Sequence, residues 1–228
     1  MLPSLELSTV RARLDVIRER IVSAGGDPDR VTVVAVTKGH GVEAARAALG
    51  IGLTEIGENY ASELADKAAT VGSLAAGVVP RWHFLGVVQR NKIARLAPIV
   101  SCWQAVSRPE EASAIARHRD KAEVFIEIDV SDEPGRAGCA PAEAASVLDA
   151  ALAAGCKVRG LMTVAPLAAG GDSQTTAARA FATVAGLAQT LGLDELSMGM
   201  SHDLEPAVAA GSTMVRIGTA LFGERSAR

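Results

Sequence analysis

Short apolar runs rich in β-branched residues alternate with stretches of helical spacing along the whole chain, and this alternation most restricts the fold. The first run, Val31-Thr-Val-Val-Ala-Val36, is nearly continuous, the mark of a strand covered on both faces. Comparable strands are predicted at 54–57, 82–86, 99–105, 123–130, 158–164, 196–200 and 214–217. Helices are predicted between them at 41–49, 61–71, 91–96, 109–119, 141–155, 174–191 and 203–210, with another before the first strand at 5–24. Gly25-Gly26 stops that first helix, Pro109 and Pro141 open later ones, and 73–80, 131–140 and 165–173 read as loops. About eight strands separated by about seven helices imply a parallel sheet with right-handed crossovers. In 228 residues that favours a closed (β/α)8 TIM barrel over an open sheet: one domain, 1–228, with an extra N-terminal helix.

Composition narrows what such a barrel could do. A net charge of −3 leaves no basic face, so no nucleic-acid partner is expected, and no Lys/Arg cluster marks a membrane surface. Cys102, Cys139 and Cys156 are far apart, without metal-ligand spacing, and suit a reducing compartment. No secretory signal pattern is visible at the start, and no apolar run nears the roughly 20 residues that span a bilayer. A cytoplasmic protein without a metal is the expectation.

In a barrel of this kind, chemistry gathers where strands end, and the usual phosphate site follows strands seven and eight. Lys38, Asn59, His83, Met162, Ser201 and Arg216 fall at predicted strand ends. Ser197-Met-Gly-Met-Ser201 and Met214-Val-Arg-Ile-Gly-Thr219 each run from a strand into small residues and a helix start. Such turns offer unpaired N–H groups to an anion. Ser201 could equally cap the helix near 203, whose Asp203 and Glu205 already complement its dipole. A lysine behind a buried strand loses solvation, which favours the neutral amine that attacks aldehydes, although it could also be a charge fringing the sheet. Arg216 interrupts an apolar strand and needs a partner: either a ligand, or a salt bridge to Glu127 or Asp129. His83 and Asn59 could contact a ligand or be satisfied within the barrel top. Met162 and Met200 read as packing, with the Met200 backbone available to a ligand, and Tyr60 reads as packing too. His202 is expected to be solvated, and 131–140 could be a lid or a solvated connection. No HExxH, P-loop or GxGxxG signature is present.

Taken together, Val34-Ala-Val-Thr-Lys38, Gly57-Glu-Asn-Tyr60, Trp82-His-Phe-Leu-Gly86, Val158-Arg-Gly-Leu-Met162, Leu196-Ser-Met-Gly-Met-Ser201 and Ala210-Gly-Ser-Thr-Met-Val-Arg-Ile-Gly-Thr219 resemble the pyridoxal 5′-phosphate homeostasis proteins. That family, also called the proline synthase co-transcribed bacterial homologues, is similar to the N-terminal barrel of alanine racemase. The resemblance implies that Lys38 holds pyridoxal 5′-phosphate (PLP) as an internal aldimine. It implies that Ser201, Gly218 and Thr219 bind the phosphate. It places Arg216 at the pyridine nitrogen, with Asn59 and His83 near the ring. The implied role is PLP binding in vitamin B6 homeostasis, with delivery to PLP-dependent apo-enzymes and no catalytic residue. Thr37, Arg90 and His202 depart from the family's usual residues at the pocket rim.

Two enzymatic readings compete with this one. A small PLP-dependent amino-acid racemase would need a base on each face of its substrate, and the sequence offers none evident beside Lys38. A Schiff-base aldolase of a phosphorylated sugar would share the lysine and the phosphate site. A monomer is expected.

Overall fold

The computed structural model describes residues 6–72, 78–131, 133, 135–166 and 172–225. The expected loops at 73–80, 131–140 and 165–173 lie partly outside these residues. Eight strands run β1 (Thr32–Val36), β2 (Glu55–Glu58), β3 (Arg81–Phe84), β4 (Val100–Val106), β5 (Glu123–Glu127), β6 (Lys157–Met162), β7 (Glu195–Ser197) and β8 (Met214–Ile217). All neighbours are parallel, and the order β1 to β8 closes on itself. The intervening helices are α2 (Val42–Gly50), α3 (Ala61–Gly72), α4 (Arg90–Leu96), α5 (Pro109–Ala116), α6 (Ala144–Ala153), α7 (Ser173–Leu191) and α8 (Leu204–Ala209). Helix α1 (Leu7–Ser23) precedes the barrel, and the single turn α9 (Thr219–Phe222) follows it. The predicted (β/α)8 barrel is the observed one.

Local chemistry explains the helix ends. Asp172 accepts hydrogen bonds from the Gln174 and Thr175 N–H groups and so starts α7, while Gly192, at φ 68°, ends it in the left-handed conformation. Pro109 opens α5, and the Glu111 carboxylate turns back to accept from the Ser107 and Arg108 N–H groups. In α1, Val10, Leu14, Ile17 and Ile21 form one buried stripe. Each contributes roughly 1.5–3 kcal/mol by leaving water.

Strand alternation divides the side chains into two cores. Outward residues such as Val33, Ala35, Trp82, Phe84, Trp103 and Ile126 pack beneath the helices, with Phe84 and Trp103 edge to face at 5.5 Å. Inward residues Val34, Cys102, Ala105, Phe125, Met162 and Met214 fill the barrel. Its N-terminal end is closed by charge: Arg81 and Arg159 both reach Glu123, and Arg159 also pairs with Glu195. Burial opposes ionisation of Glu123, yet hydrogen bonds from Lys157, Arg159 and Arg81 hold it at about 2.

Several strands end earlier than their apolar runs. The β3 ladder ends at Phe84 rather than at Gly86, and β7 at Ser197 rather than at Met200. Pairing nevertheless continues past these ends, as the Leu85 N–H donates to Glu58 O and the Met198 N–H to Met214 O. The surplus residues lift the chain to the barrel mouth.

Two glycine substitutions test this packing in opposite directions. Gly160 pairs with Glu195 across β6 and β7, and a Cβ there would be driven into the Glu195 carbonyl oxygen. Gly160→Ala should destabilise the fold by about 1–3 kcal/mol in urea unfolding. Gly186 lies within α7 with no neighbouring atom near its Cβ direction, so Gly186→Ala should stabilise by about 0.4–1 kcal/mol.

Candidate functional site

Closure of the sheet sets β1 against β8, with Val34 opposite Arg216 and Ala35 opposite Ile217. The residues following these two strands therefore meet at one mouth. There they border a cavity of about 260 Å³ lined by Lys38, Asn59, Met200, Ser201, Arg216, Gly218 and Thr219, along with Glu127 and others. Seven of the eight residues singled out from the sequence share this one space.

The stem of Lys38 is anchored from behind. Thr37 is buried; its hydroxyl donates to Glu58 at 2.6 Å, and its carbonyl accepts from Lys67 at 2.8 Å. Lys67 also pairs with Glu58 at 2.5 Å, and the Gly39 N–H donates to Glu63. Gly39 takes φ 72°, the left-handed turn that bends the chain just beyond the lysine. Burial pushes Glu58 up, with Lys67 and Thr37 opposing that rise. Burial also pulls Lys38 down, and the Arg225 and Arg216 charges add to the depression. Its neutral amine is therefore populated at lower pH than that of an ordinary lysine.

Arg216 is 5 % exposed and makes no ion pair among the described residues. Of the two readings for Arg216, the salt bridge to Glu127 or Asp129 does not form. Instead Nη1 donates to the Ser197 carbonyl and hydroxyl at 2.5 and 2.8 Å, and Nη2 donates to Thr163 O at 2.7 Å. Neutral acceptors do not balance the charge, so burial lowers Arg216 to about 10. It remains a cation at neutral pH.

On the far side of Arg216, Ser201 does not cap α8. Its Oγ accepts from the Ala220 N–H at 3.1 Å, which ties the β7 turn to α9 and leaves the hydroxyl proton free to donate. Helix α1 braces the same turn, since Arg20 donates to Ser201 O and makes a two-point contact with Glu205. Met200 lines the cavity, but its N–H already donates to Asp203 at 2.5 Å, so that amide is not available to a ligand. Asn59 places a buried Oδ1 without a partner at the cavity wall.

His83 is the exception. The inward positions of β3 are Arg81 and His83, with Leu85 above them, and it is Leu85 that reaches the cavity. His83 is 1 % exposed in the barrel interior, against Glu55 at 2.5 Å and Gln104 at 2.6 Å. Its expected place near a ligand ring at the mouth is corrected: alternation along the strand puts it one layer too low. Tyr60, read as packing, is 53 % exposed.

Sequence reasoning missed Arg225, His40 and the cavity-facing role of Glu127. Arg225 reaches the site because the segment after α9 folds back over the turn following β1. His40 packs on Phe222 there, 5.6 Å between rings. No spacing in the sequence announces those approaches. Glu127 stood in view only as a salt-bridge partner. Burial pushes it to about 7 despite the Arg216 charge.

The fold and this site together define the class of barrel found in alanine racemase: the model of that enzyme's N-terminal domain matches residues 5–226. Within that class, this chain belongs to the pyridoxal phosphate homeostasis protein family. Proteins of that name from Deinococcus radiodurans and Pseudomonas aeruginosa are 40% and 37% identical to it. The first similarity covers 94% of this chain and 99% of the relative, the second 92% and 91%. PipY of Synechococcus elongatus, solved with PLP bound, is 32% identical with a TM-score of 0.77, covering 91% of this chain and all of that one. Alanine racemase from Corynebacterium glutamicum shares the fold at TM-score 0.70 and 20% identity, covering 97% of this chain and 62% of the enzyme. No helix among the described residues is long and apolar enough to cross a membrane.

The depressed Lys38 amine gives a direct test. Reductive methylation followed by peptide mapping should show Lys38 labelled with a midpoint below the ordinary lysine value of about 10.4. Arg225→Ala should shift that midpoint upward, because one of the cations disfavouring the ammonium is gone. An unchanged midpoint would remove Arg225 from the electrostatics of the site.

Proposed function

We propose that this chain binds PLP at the barrel mouth and serves intracellular vitamin B6 balance by holding the cofactor and releasing it to PLP-dependent apo-enzymes. The observation that carries the reading is the shared cavity: a desolvated lysine and a turn of hydroxyl and N–H donors border one space of about 260 Å³. That volume is near the lower end for small-ligand sites.

The residues present suit the group. Lys38 supplies an amine whose charged form is disfavoured by burial and by two arginines. Ser201 has a hydroxyl proton to donate, and the turn at Gly218-Thr219 adds further donors for a phosphate. Arg225 adds positive charge on the same wall. The orphaned Asn59 Oδ1 needs a donor, which a ring hydroxyl would provide. When bound, PLP supplies an aldehyde that a neutral amine can capture and a ring that can accept electrons. Arg216 bears on the second property: a guanidinium beside the ring nitrogen would disfavour its protonation and weaken the ring as an electron sink.

The same arrangement favours holding over turnover. The weakened electron sink carries this, since Tyr60 is exposed and away from the cavity but Glu127 lines it. The chain is proposed to act in the cytoplasm as a single-domain monomer that binds PLP without turning over a substrate.

The purified full chain should be yellow, and borohydride should fix the colour at Lys38, as located by mass spectrometry. Lys38→Ala should lose the fixed adduct; a retained adduct on that variant would refute the assignment. A colourless protein that captures phosphorylated sugar instead would favour the aldolase reading. Exchange of an amino acid's α-hydrogen in heavy water should stay close to that of free PLP. Ligand at 100 times its Kd should stabilise the fold by about 2.7 kcal/mol.

A further inference from the structure

Glu127 has no assigned role in the reading above, and its setting is unusual. It ends β5, and in an eight-stranded barrel β5 stands across from β1, whose continuation carries Lys38. The residue is 8 % exposed, yet its carboxyl makes no hydrogen bond or ion pair among the described residues. Its backbone carbonyl accepts from the Cys139 N–H, which fixes the residue in place and leaves the side chain to face the cavity. Arg216, the cation that acts on it most strongly, directs its three hydrogen bonds to Ser197 and Thr163 instead. Glu127 lines the cavity that holds Lys38 and also a neighbouring cleft of about 790 Å³ that runs past Arg108 and Arg136. A buried carboxyl without a partner is costly unless it is neutral or meets a ligand.

We propose that Glu127 is a further cofactor-binding residue: in its neutral form it donates a hydrogen bond to the bound PLP from the wall opposite Lys38. The inference rests on the PLP reading above. Burial raises the carboxyl to about 7, so its proton is exchanged in the neutral range. The charged groups around it come from several elements. Arg216 of β8 and Arg136 of the segment after β5 favour ionisation, whereas Glu111 of α5 and Asp129 just beyond β5 oppose it. Lys38 faces the same cavity from beyond β1, and the Cys139 thiol, pushed up to about 11, stays neutral. Below pH 7 the acid form can donate to an anionic oxygen. Above it the carboxylate can only accept, and it repels the negatively charged cofactor. PLP is then held more tightly on the acid side of neutrality and more loosely on the alkaline side.

The test is a PLP binding titration of the full-length apo-protein at pH 6, 7 and 8, by equilibrium dialysis, for the wild type, Glu127→Gln and Glu127→Ala. Glutamine keeps a donor at every pH, and alanine keeps none. With the acid form as the competent state, the wild-type Kd should rise by about tenfold more than the Gln variant's between pH 6 and pH 8. At pH 6, Glu127→Ala should bind more weakly than Glu127→Gln. Carbon NMR of the Glu127 carboxyl gives an arm without substitution: PLP should raise its titration midpoint. A wild-type to Gln ratio that stays constant with pH, or a midpoint that falls on binding, overturns the proposal. If the wild type and both variants all fail to bind PLP, the cofactor reading itself is overturned, and this inference with it.

Discussion

The pairing of β1 with β8 is the constraint on which the site depends. Lys38 and Arg216 are separated by most of the chain, yet Val34 stands opposite Arg216 in the closed sheet. Opening that seam would part the Lys38 amine from the turns that follow β7 and β8. The helix that comes first in the chain secures the same region. Arg20 of α1 clasps Glu205 and the Ser201 carbonyl, while Arg13 donates to the Leu221 carbonyl. The N-terminal helix is therefore a brace for the far end of the sequence.

The electrostatics divide by depth. At the bottom of the barrel, Glu123 is satisfied by three cations and stays ionised. Pairs of that kind close the end of the barrel and leave little to titrate near neutrality. At the mouth the charges are incompletely matched: Arg216 rests on carbonyls, Lys38 faces two arginines, and Glu127 meets no donor. Unmatched groups cost stability. Their concentration at the end where the strands finish is what separates a binding site from structural packing. The Glu58–Lys67 pair lies between these regimes. Buried and bonded to both the hydroxyl and the carbonyl of Thr37, it holds the backbone of the lysine rigid without entering the cavity.

Much of this was legible in the letters. The β-branched runs located all eight strands, Met214–Ile217 to the residue, because a strand covered on both faces has to be apolar throughout. Small residues after β7 and β8 marked turns that border the cavity, and a lysine directly behind a buried strand lies on the same cavity's wall. His83 was misplaced because an apolar run shows where a strand lies but not the height at which each inward side chain sits. Leu85, two residues on, has no polar feature to draw attention, yet it lines the cavity. Ser201 looked like a cap for the helix that follows it in sequence, whereas its partner is the amide of Ala220, reached only across the fold.

The sequence alone determined the alternation of strands and helices, and through it the barrel. It also determined which residue types stand at the strand ends, since periodicity and burial are local properties of a chain. Tertiary structure decided which of those ends share one space, which way Arg216 and His83 turn, and that Arg225 and Glu127 face the same cavity as Lys38. Those outcomes depend on sheet closure and layer height, which arise from contacts between residues far apart in the chain and leave no mark in any short window of it.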